Sequence, residues 1–175
     1  MTEHYILPEI EKIWSPKNYF KLWLNIELAV CEAQVELGVI PKEKFSKIQK
    51  GLQNLSLSTL TKLAGKGRRQ EFAAFLSLLE RKVGKANSGY IHYGLSSTDI
   101  TDTALALQLK KSGEKIAEAI VSLLSIIRRL ARKYQYSLCV GRTYGIYAEP
   151  VTIGLKFASF YAELERNKEL SLIHI

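Results

Sequence analysis

A long seam of mostly apolar residues in the middle of the chain sets narrow limits on its fold. Side chains spaced three and four positions apart run from Leu105 to Tyr134. The seam consists of Leu105, Leu109, Ser112, Ile116, Ile120, Leu123, Ile127, Leu130 and Tyr134. A heptad-like repeat sustained over about four turns or more is typical of a helix that packs along another long helix. We therefore expect a long helix here, which Asp99 or Thr101 is able to cap.

Helical patterns also lie on both sides of the seam. An apolar stripe runs along Phe20–Leu37, with the start signal Ser15-Pro16 before it and Gly38 after it. Weaker helical patterns cover residues 42–60, 69–83 and 151–169. No alternation of strands and helices is visible, so we expect an all-α fold. Two polar segments without a clean period, residues 87–98 and GRTYGIYAEP (141–150), are expected to be irregular loops.

Composition and charge exclude several classes of protein. The 175 residues contain two cysteines far apart, Cys31 and Cys139, which are expected to be buried small side chains rather than zinc ligands. The N-terminus mixes acids and bases without an apolar run, unlike a secretory signal. The longest apolar stretch, Ala119–Ile127, is too short for a membrane span. We expect a soluble cytoplasmic protein without a membrane partner.

The net charge of +8 favours anionic partners. The 25 lysines and arginines are scattered, and no basic stripe with interleaved aromatic residues occurs. Most of them are expected to lie on solvated helix faces. Nucleic acid is therefore an unlikely partner, although a basic nucleic-acid-binding helical module stays open as an alternative.

The segment HYGLSSTD (92–99) offers two interpretations. His92 and the hydroxyls of Ser96, Ser97 and Thr98, together with backbone N–H groups near a helix start, are able to receive a carboxylate or phosphate. Alternatively, Ser97, Thr98 and Asp99 only cap the helix that follows. From the spacing alone, capping is the favoured interpretation.

Four segments together resemble the N-terminal part of the adenylosuccinate lyase family, within the fumarase and aspartase superfamily. They are HYILPEIEKIW, ELAVCEAQVELGVIPKE, HYGLSSTDITDTAL and GRTYGIYAEPVTIGLKFA, which cover nearly the whole chain in the family's order. The resemblance implies an all-α fold whose long helices form a tetrameric bundle. It also implies elimination of fumarate from a succinylated amine in purine nucleotide biosynthesis, at active sites built from three subunits. It implies no metal and no organic cofactor.

The resemblance implies a set of residues that bind a small anionic substrate. His92, Ser96 and Ser97 match substrate-binding positions, with Ser96 in place of a usual threonine. In RRQE, where the family reads TRHD, Arg69 is kept and Glu71 replaces the aspartate. The remaining members of the set are Thr143 and the pair His4 and Tyr5, where the family has Arg-Tyr at the substrate phosphate.

The departures from the family fall at its proton-transfer positions. Tyr144 stands where the family has its acid histidine, Tyr147 replaces a second histidine of that loop, and Gln70 replaces the histidine of TRHD. Tyrosine has an ordinary pKa of about 10, against about 6.5 for histidine, but it can donate a proton as a neutral acid. Glutamine can hold a carboxylate or amide and cannot carry a proton. Tyr144 and Gln70 are thus the candidate catalytic residues.

Three outcomes are compatible with these replacements. The chain can belong to a lyase with an altered substrate or mechanism, or to a non-catalytic relative that binds a nucleotide or pairs with an active homologue. It can also be a relic in which the tyrosines only pack.

The resemblance also divides the chain. Residues 1–100 are expected to form an N-terminal helical domain and residues 101–169 the start of a central helical bundle. The final LSLIHI (170–175) departs from the family pattern and is expected to be a non-native tail. The family's later Gly-Ser-Ser loop, with its proposed base serine and a substrate-binding lysine, does not occur in these residues. We therefore expect a truncated portion that is inactive alone.

Overall fold

The chain forms two compact units, residues 1–109 and 110–175, in a computed structural model. The structure describes residues 6–53, 55–56, 61–62, 64 and 67–172. The candidate residues His4 and Tyr5 lie outside this part of the chain. Each unit is described below by itself.

The first unit is helical. It contains α1 (Pro8–Trp14), α2 (Pro16–Glu36), α3 (Lys42–Gln53), α4 (Arg68–Val83), α5 (Lys85–Ser88) and the beginning of α6 (Ser97–Lys133). The boundary between the units falls inside α6, after Leu109.

The helix predicted over Phe20–Leu37 is confirmed and begins four residues earlier, as α2. The Ser15 side chain accepts a hydrogen bond from the Asn18 backbone N–H at 3.3 Å, and Pro16 occupies the first turn. Both are typical of helix starts, since the first N–H groups have no partner within the helix. The helix ends before Gly38, whose φ of +75° suits a residue without a Cβ.

An aromatic cluster forms the centre of the first unit. The Trp23 ring lies 5.1 Å from Phe20, 5.3 Å from Phe72 and 5.5 Å from Phe75, centroid to centroid. All four side chains are buried, and their contacts pack α2 against α4. Truncating one such ring to alanine costs about 3–5 kcal/mol. The loop that follows α5 is thereby held against a rigid surface.

The polar segment predicted as an irregular loop over residues 87–98 is shorter in the structure. α5 extends to Ser88, turns cover residues 89–94, and α6 already begins at Ser97. The early start has a local cause, because Asp99 in the first turn of α6 accepts hydrogen bonds from the residue just before the helix, Ser96.

The second unit contains the rest of α6, a hairpin of β1 (Leu138–Thr143) and β2 (Ile146–Thr152), and α7 (Ile153–Leu172). The long helix predicted from the seam is confirmed as α6. Several seam residues remain exposed, among them Ile116 at 54% and Leu123 at 46%. In this unit the seam contacts other parts of the chain near its end, where the Tyr134 ring lies 6.5 Å from that of Phe157.

The sequence predicted an irregular loop for GRTYGIYAEP (141–150). This prediction is wrong, because the segment forms most of the antiparallel hairpin. Tyr144 and Gly145 make a two-residue turn with φ values of 49° and 79°. Positive φ at both positions matches the right-handed twist of the strands, and glycine adopts it without strain. At Gly141 a β-carbon would collide with the backbone oxygen of Glu149, so the strands approach closely at the bulge there. Apart from this hairpin, the described part of the chain is helical with turns and loops, in agreement with the all-α expectation.

Candidate functional site

His92 is held by a buried carboxylate from α2. Oε1 of Glu27 lies 2.7 Å from Nδ1 of His92, and Oε2 accepts the His92 backbone N–H at 3.1 Å. The backbone of His92 is left-handed, with φ of 57°, which is uncommon for a residue with a side chain. Glu27 is 1% exposed, whereas 18% of the His92 side chain is accessible. One carboxylate therefore fixes both the loop and the imidazole ring.

Burial is the main influence on the ionisation of Glu27. Removal from water raises the pKa of its carboxyl above the ordinary value, and the hydrogen bonds and charge of His92 oppose this shift. One turn along α2, burial and the Glu27 charge raise the pKa of the Cys31 thiol to about 11. Cys31 thus stays protonated at neutral pH and has the character of a small core side chain, as the sequence predicted.

Ser96 and Asp99 form a cap at the start of α6. The Ser96 backbone N–H and side-chain hydroxyl both donate to Oδ2 of Asp99, at 2.7 and 2.8 Å. These bonds lower the pKa of Asp99. The Ser96 hydroxyl also lies 2.8 Å from that of Thr98, and Ser97 is exposed in the first turn. The capping interpretation thus describes Ser96 and Asp99, while exposed hydroxyls still surround the helix start.

Glu71 lies on the buried side of α4 and Gln70 on its exposed side. Oε2 of Glu71 accepts a hydrogen bond from the hydroxyl of Tyr19 on α2, at 3.0 Å. Next to Glu71 the Phe72 ring packs edge to face with His92, at a centroid distance of 5.3 Å. α4 therefore brings Glu71 into the neighbourhood of the His92 loop. Arg69 lies in the first turn of α4, and its side chain is outside the described part of the structure.

A cavity of about 240 Å³ adjoins Glu71 in the first unit. Its lining consists of Trp14, Tyr19, Trp23, Glu71, Thr101, Leu105 and Gln108. The Gln108 side-chain amide donates to the backbone oxygen of Ile13 at 2.8 Å, which connects α6 to α1 at the cavity wall. The wall is thus aromatic on the α1 and α2 side, and on the α4 and α6 side it is polar apart from Leu105.

The remaining candidate residues lie on the hairpin of the second unit. Tyr144 occupies the turn and is completely exposed, and Thr143 is the last residue of β1. The guanidinium of Arg142 lies over the Tyr147 ring, 5.6 Å from its centroid. The hairpin therefore presents a phenol and a hydroxyl at its exposed tip.

Sequence reasoning missed Glu27 and Tyr19. The signal for Glu27 was its position, because it lies on the same helix stripe as Phe20, Trp23 and Cys31. Charged side chains almost never occupy a core stripe unless they are paired. A carboxylate there indicates a buried partner, although spacing alone does not identify it as His92.

The described part of the chain has neither a membrane-spanning helix nor a cluster of metal ligands. None of its helices combines sufficient length with sufficient apolarity to cross a bilayer. Within the same residues, no three or more His, Cys, Asp or Glu side chains are grouped so that they could hold a metal ion.

Comparison with known sequences identifies related proteins. The sequence profile of a family described as Lyase matches residues 4–172. The adenylosuccinate lyase of Synechocystis sp. is 42% identical over 169 residues, and that of Bacillus subtilis is 37% identical over 169 residues. In both cases the match covers 97% of this chain and 38% of the relative. The chain thus spans well under half the length of the curated relatives it matches.

Solved structures share the fold. The fumarate lyase of Mesorhizobium sp. BNC1 superposes with a TM-score of 0.81 at 26% identity, over 93% of this chain and 38% of that one. The 3-carboxy-cis,cis-muconate lactonizing enzyme of Pseudomonas putida gives a TM-score of 0.82 at 25% identity, over 98% and 40%. The fold is therefore that of the fumarase and aspartase superfamily.

Proposed function

This chain belongs to the Lyase family, and we propose that it forms part of an enzyme that eliminates fumarate from a succinylated amine. The observation that carries the proposal is its 37–42% identity to adenylosuccinate lyases over 97% of its length. That length includes both the His92 loop and the hairpin. Adenylosuccinate, an intermediate of purine nucleotide synthesis, is the substrate we propose.

The reaction requires two proton transfers and the binding of several anionic groups. A proton leaves the carbon beside a carboxylate, the carbon–nitrogen bond breaks, and the nitrogen leaves as an amine that takes up a proton. Hydrogen-bond donors stabilise the negative charge that develops on the carboxylate. We assign substrate binding to the guanidinium, imidazole and hydroxyl groups of Arg69, His92, Ser96, Ser97 and Thr143. Gln70, Glu71, His4 and Tyr5 are further members of the proposed substrate-binding set.

Tyr144 is the group we assign to donate the proton to the leaving nitrogen. Its place at the tip of the hairpin, fully exposed, supports this role because a phenol there is free to meet a bound substrate. A phenol in general holds its proton more tightly than an imidazolium does, so we expect slower turnover than a histidine would give.

The complete enzyme is proposed to be a homotetramer in which long helices pair, since Leu109, Ile116 and Leu123 of the α6 seam remain exposed in this chain. Residues 1–175 alone are proposed to give no turnover, because the whole reaction of the relatives is performed by proteins much longer than this chain. The cytoplasmic location expected from the sequence remains a prediction.

A second candidate function is binding without catalysis, either of a nucleotide or of an active homologue. The observation that favours it is the pair Tyr144 and Gln70, which stand where the resemblance predicts histidines and are both exposed. Phenols and amides as chemical classes do not exchange a proton near neutral pH as imidazoles do.

A chimera distinguishes the two functions. Residues 1–169 are joined to the remaining C-terminal part of the Bacillus subtilis relative, and fumarate release from adenylosuccinate is followed by absorbance. We expect measurable release, and a large gain when Tyr144→His and Gln70→His are combined. Tyr136→His, at another exposed tyrosine, is the matched control. Release only after the histidines are introduced would favour the binding role, and a folded chimera inactive in both forms would contradict the proposed elimination.

A further inference from the structure

Glu27 contacts His92 at two places with one carboxylate. Oε1 lies 2.7 Å from ring Nδ1, and Oε2 accepts the backbone N–H at 3.1 Å. Glu27 and His92 are 65 positions apart in the sequence, so the contact joins the middle of α2 to the loop before α6. Because Glu27 is 1% exposed, bulk water has almost no access to its carboxylate oxygens. Its hydrogen bonds to His92 therefore determine how the loop and ring are placed.

The ring is confined on a second side as well. Phe72 from α4 packs edge to face with the imidazole at 5.3 Å. Among the described residues, none is hydrogen-bonded to the other ring nitrogen, Nε2. Glu27 contacts the ring directly, and the charge of His92 is one of the influences that lower the pKa of Asp99. Nδ1 is taken by Glu27, so Nε2 is the ring nitrogen left for a ligand, and 18% of the His92 side chain is accessible.

We propose that Glu27 is a positioning residue that keeps the His92 proton on Nδ1, so that the ring exchanges protons and contacts substrate only through Nε2. A carboxylate accepts hydrogen bonds and donates none, so Nδ1 carries a hydrogen whether the ring is neutral or charged. A neutral ring then offers Nε2 as an acceptor, and a charged ring offers it as a donor. The substrate contact rests on the proposed function, whereas the tautomer does not.

The same carboxylate also stabilises the loop. The left-handed backbone at His92 points its N–H toward Glu27, where Oε2 accepts it. Strained backbone at a candidate site persists when its surroundings hold it in place. Ring and backbone are thereby positioned together.

The competing arrangement is a protonated Glu27 that donates to a bare Nδ1, which would put the ring hydrogen on Nε2. Burial favours it, since removal from water raises the pKa of the carboxyl. The backbone N–H and the ring both favour the carboxylate form. The two arrangements differ in which ring nitrogen carries the hydrogen, so spectroscopy distinguishes them directly.

The test uses this chain labelled with 15N-histidine. It has three histidines, so His4→Gln and His174→Gln assign the His92 signals in a long-range 1H–15N spectrum. We expect the 15N chemical shift of Nδ1 to stay that of a protonated nitrogen throughout a pH titration. Only the shift of Nε2 should change, from that of a protonated nitrogen to that of a bare one as the pH rises. Nε2–H with bare Nδ1 near neutral pH, in the unaltered chain, would overturn the proposal.

Glu27→Gln provides a sharper second measurement. An amide has one oxygen, so if that oxygen accepts the backbone N–H, its NH₂ group faces Nδ1 and favours the opposite tautomer. We expect the His92 pattern to invert, and Glu27→Asp, which keeps the charge, to restore Nδ1–H at least in part. An unchanged pattern in folded Glu27→Gln would contradict the assignment. If that variant does not fold, the spectrum of the unaltered chain alone decides.

The chimera separates this inference from the proposed function. There we expect Glu27→Gln to change the pH profile of fumarate release and to raise KM for adenylosuccinate, with Glu27→Asp partly restoring both. An inactive chimera whose His92 still carries hydrogen on Nδ1 would refute the elimination and leave the tautomer assignment intact. An active chimera whose His92 carries its hydrogen on Nε2 would refute the tautomer assignment and leave the proposed elimination intact.

Discussion

The hydroxyl of Tyr19 donates a hydrogen bond to Oε2 of Glu71 at 3.0 Å, across 52 positions of sequence. The bond joins α2 to α4 beside the cavity in the first unit. Glu71 is buried, so each donor to its carboxylate offsets part of the cost of removing it from water.

Replacing Tyr19 with phenylalanine is expected to lower the free energy of unfolding by about 1–3 kcal/mol, because it removes one donor to a buried charged group. The matched control is Tyr161→Phe, since Tyr161 donates to Glu165 at the same 3.0 Å on an exposed face. There water replaces the lost partner, and we expect little change. Urea unfolding of both variants measures the difference, and equal losses would contradict the argument from burial.

The cap between Ser96 and Asp99 makes stability depend on pH in acid. Hydrogen bonds from Ser96 lower the pKa of Asp99 below the ordinary 3.8. The stabilisation is therefore fully present above that value, and it is lost as the pH falls through the lower pKa of the folded state. We expect Asp99→Asn to lose stability near neutral pH and to show a smaller loss on acidification than the unaltered chain.

Thermal unfolding at a series of pH values checks this prediction. Asp102→Asn, a change of the same kind one turn later in α6, is the control. If acidification lowered the stability of Asp99→Asn as steeply as that of the unaltered chain, Asp99 would not be the source of this pH dependence.

The two cysteines are expected to react with thiol reagents at different rates. Burial and the Glu27 charge raise the pKa of Cys31 to about 11, while Cys139 on β1 is partly exposed. Since the thiolate is the reactive form, we expect Cys139 to react with a disulfide reagent at pH 8 well before Cys31. Cys31→Ser and Cys139→Ser variants assign the phases, and both should react rapidly in denaturant. Fast reaction of Cys31 in the folded chain would be the contrary result.

The exposed seam of α6 is expected to mediate association between copies of the chain. Ile116 and Leu123 lie on this seam and are about half exposed. Replacing both with glutamine should shift the sedimentation profile toward smaller species, because apolar area is no longer removed from water. Glu114→Gln, on the opposite side of the same helix, should leave the profile unchanged. Equal effects of the two changes would show that another surface mediates association.

Much of the helical architecture was predictable from local patterns. The stripe along α2, its start at Ser15-Pro16 and its end before Gly38 were all evident, because caps and periodicity act over only a few residues. The seam likewise predicted α6. The hairpin was not foreseen, because its turn depends on a positive φ at Tyr144, which residues other than glycine seldom adopt.

The candidate site, like the fold, was predictable from the sequence only in part. The sequence by itself determined that His92, Ser96 and Asp99 are close together, since they share eight residues of one motif, and the resemblance supplied their expected roles. Only the tertiary structure placed Glu27 against His92, Tyr19 against Glu71 and Phe72 against the imidazole. The physical reason is that a buried charge must find its partner in space. Which of many polar groups meets it is decided by how α2, α4 and the loop pack, and no local pattern encodes that choice.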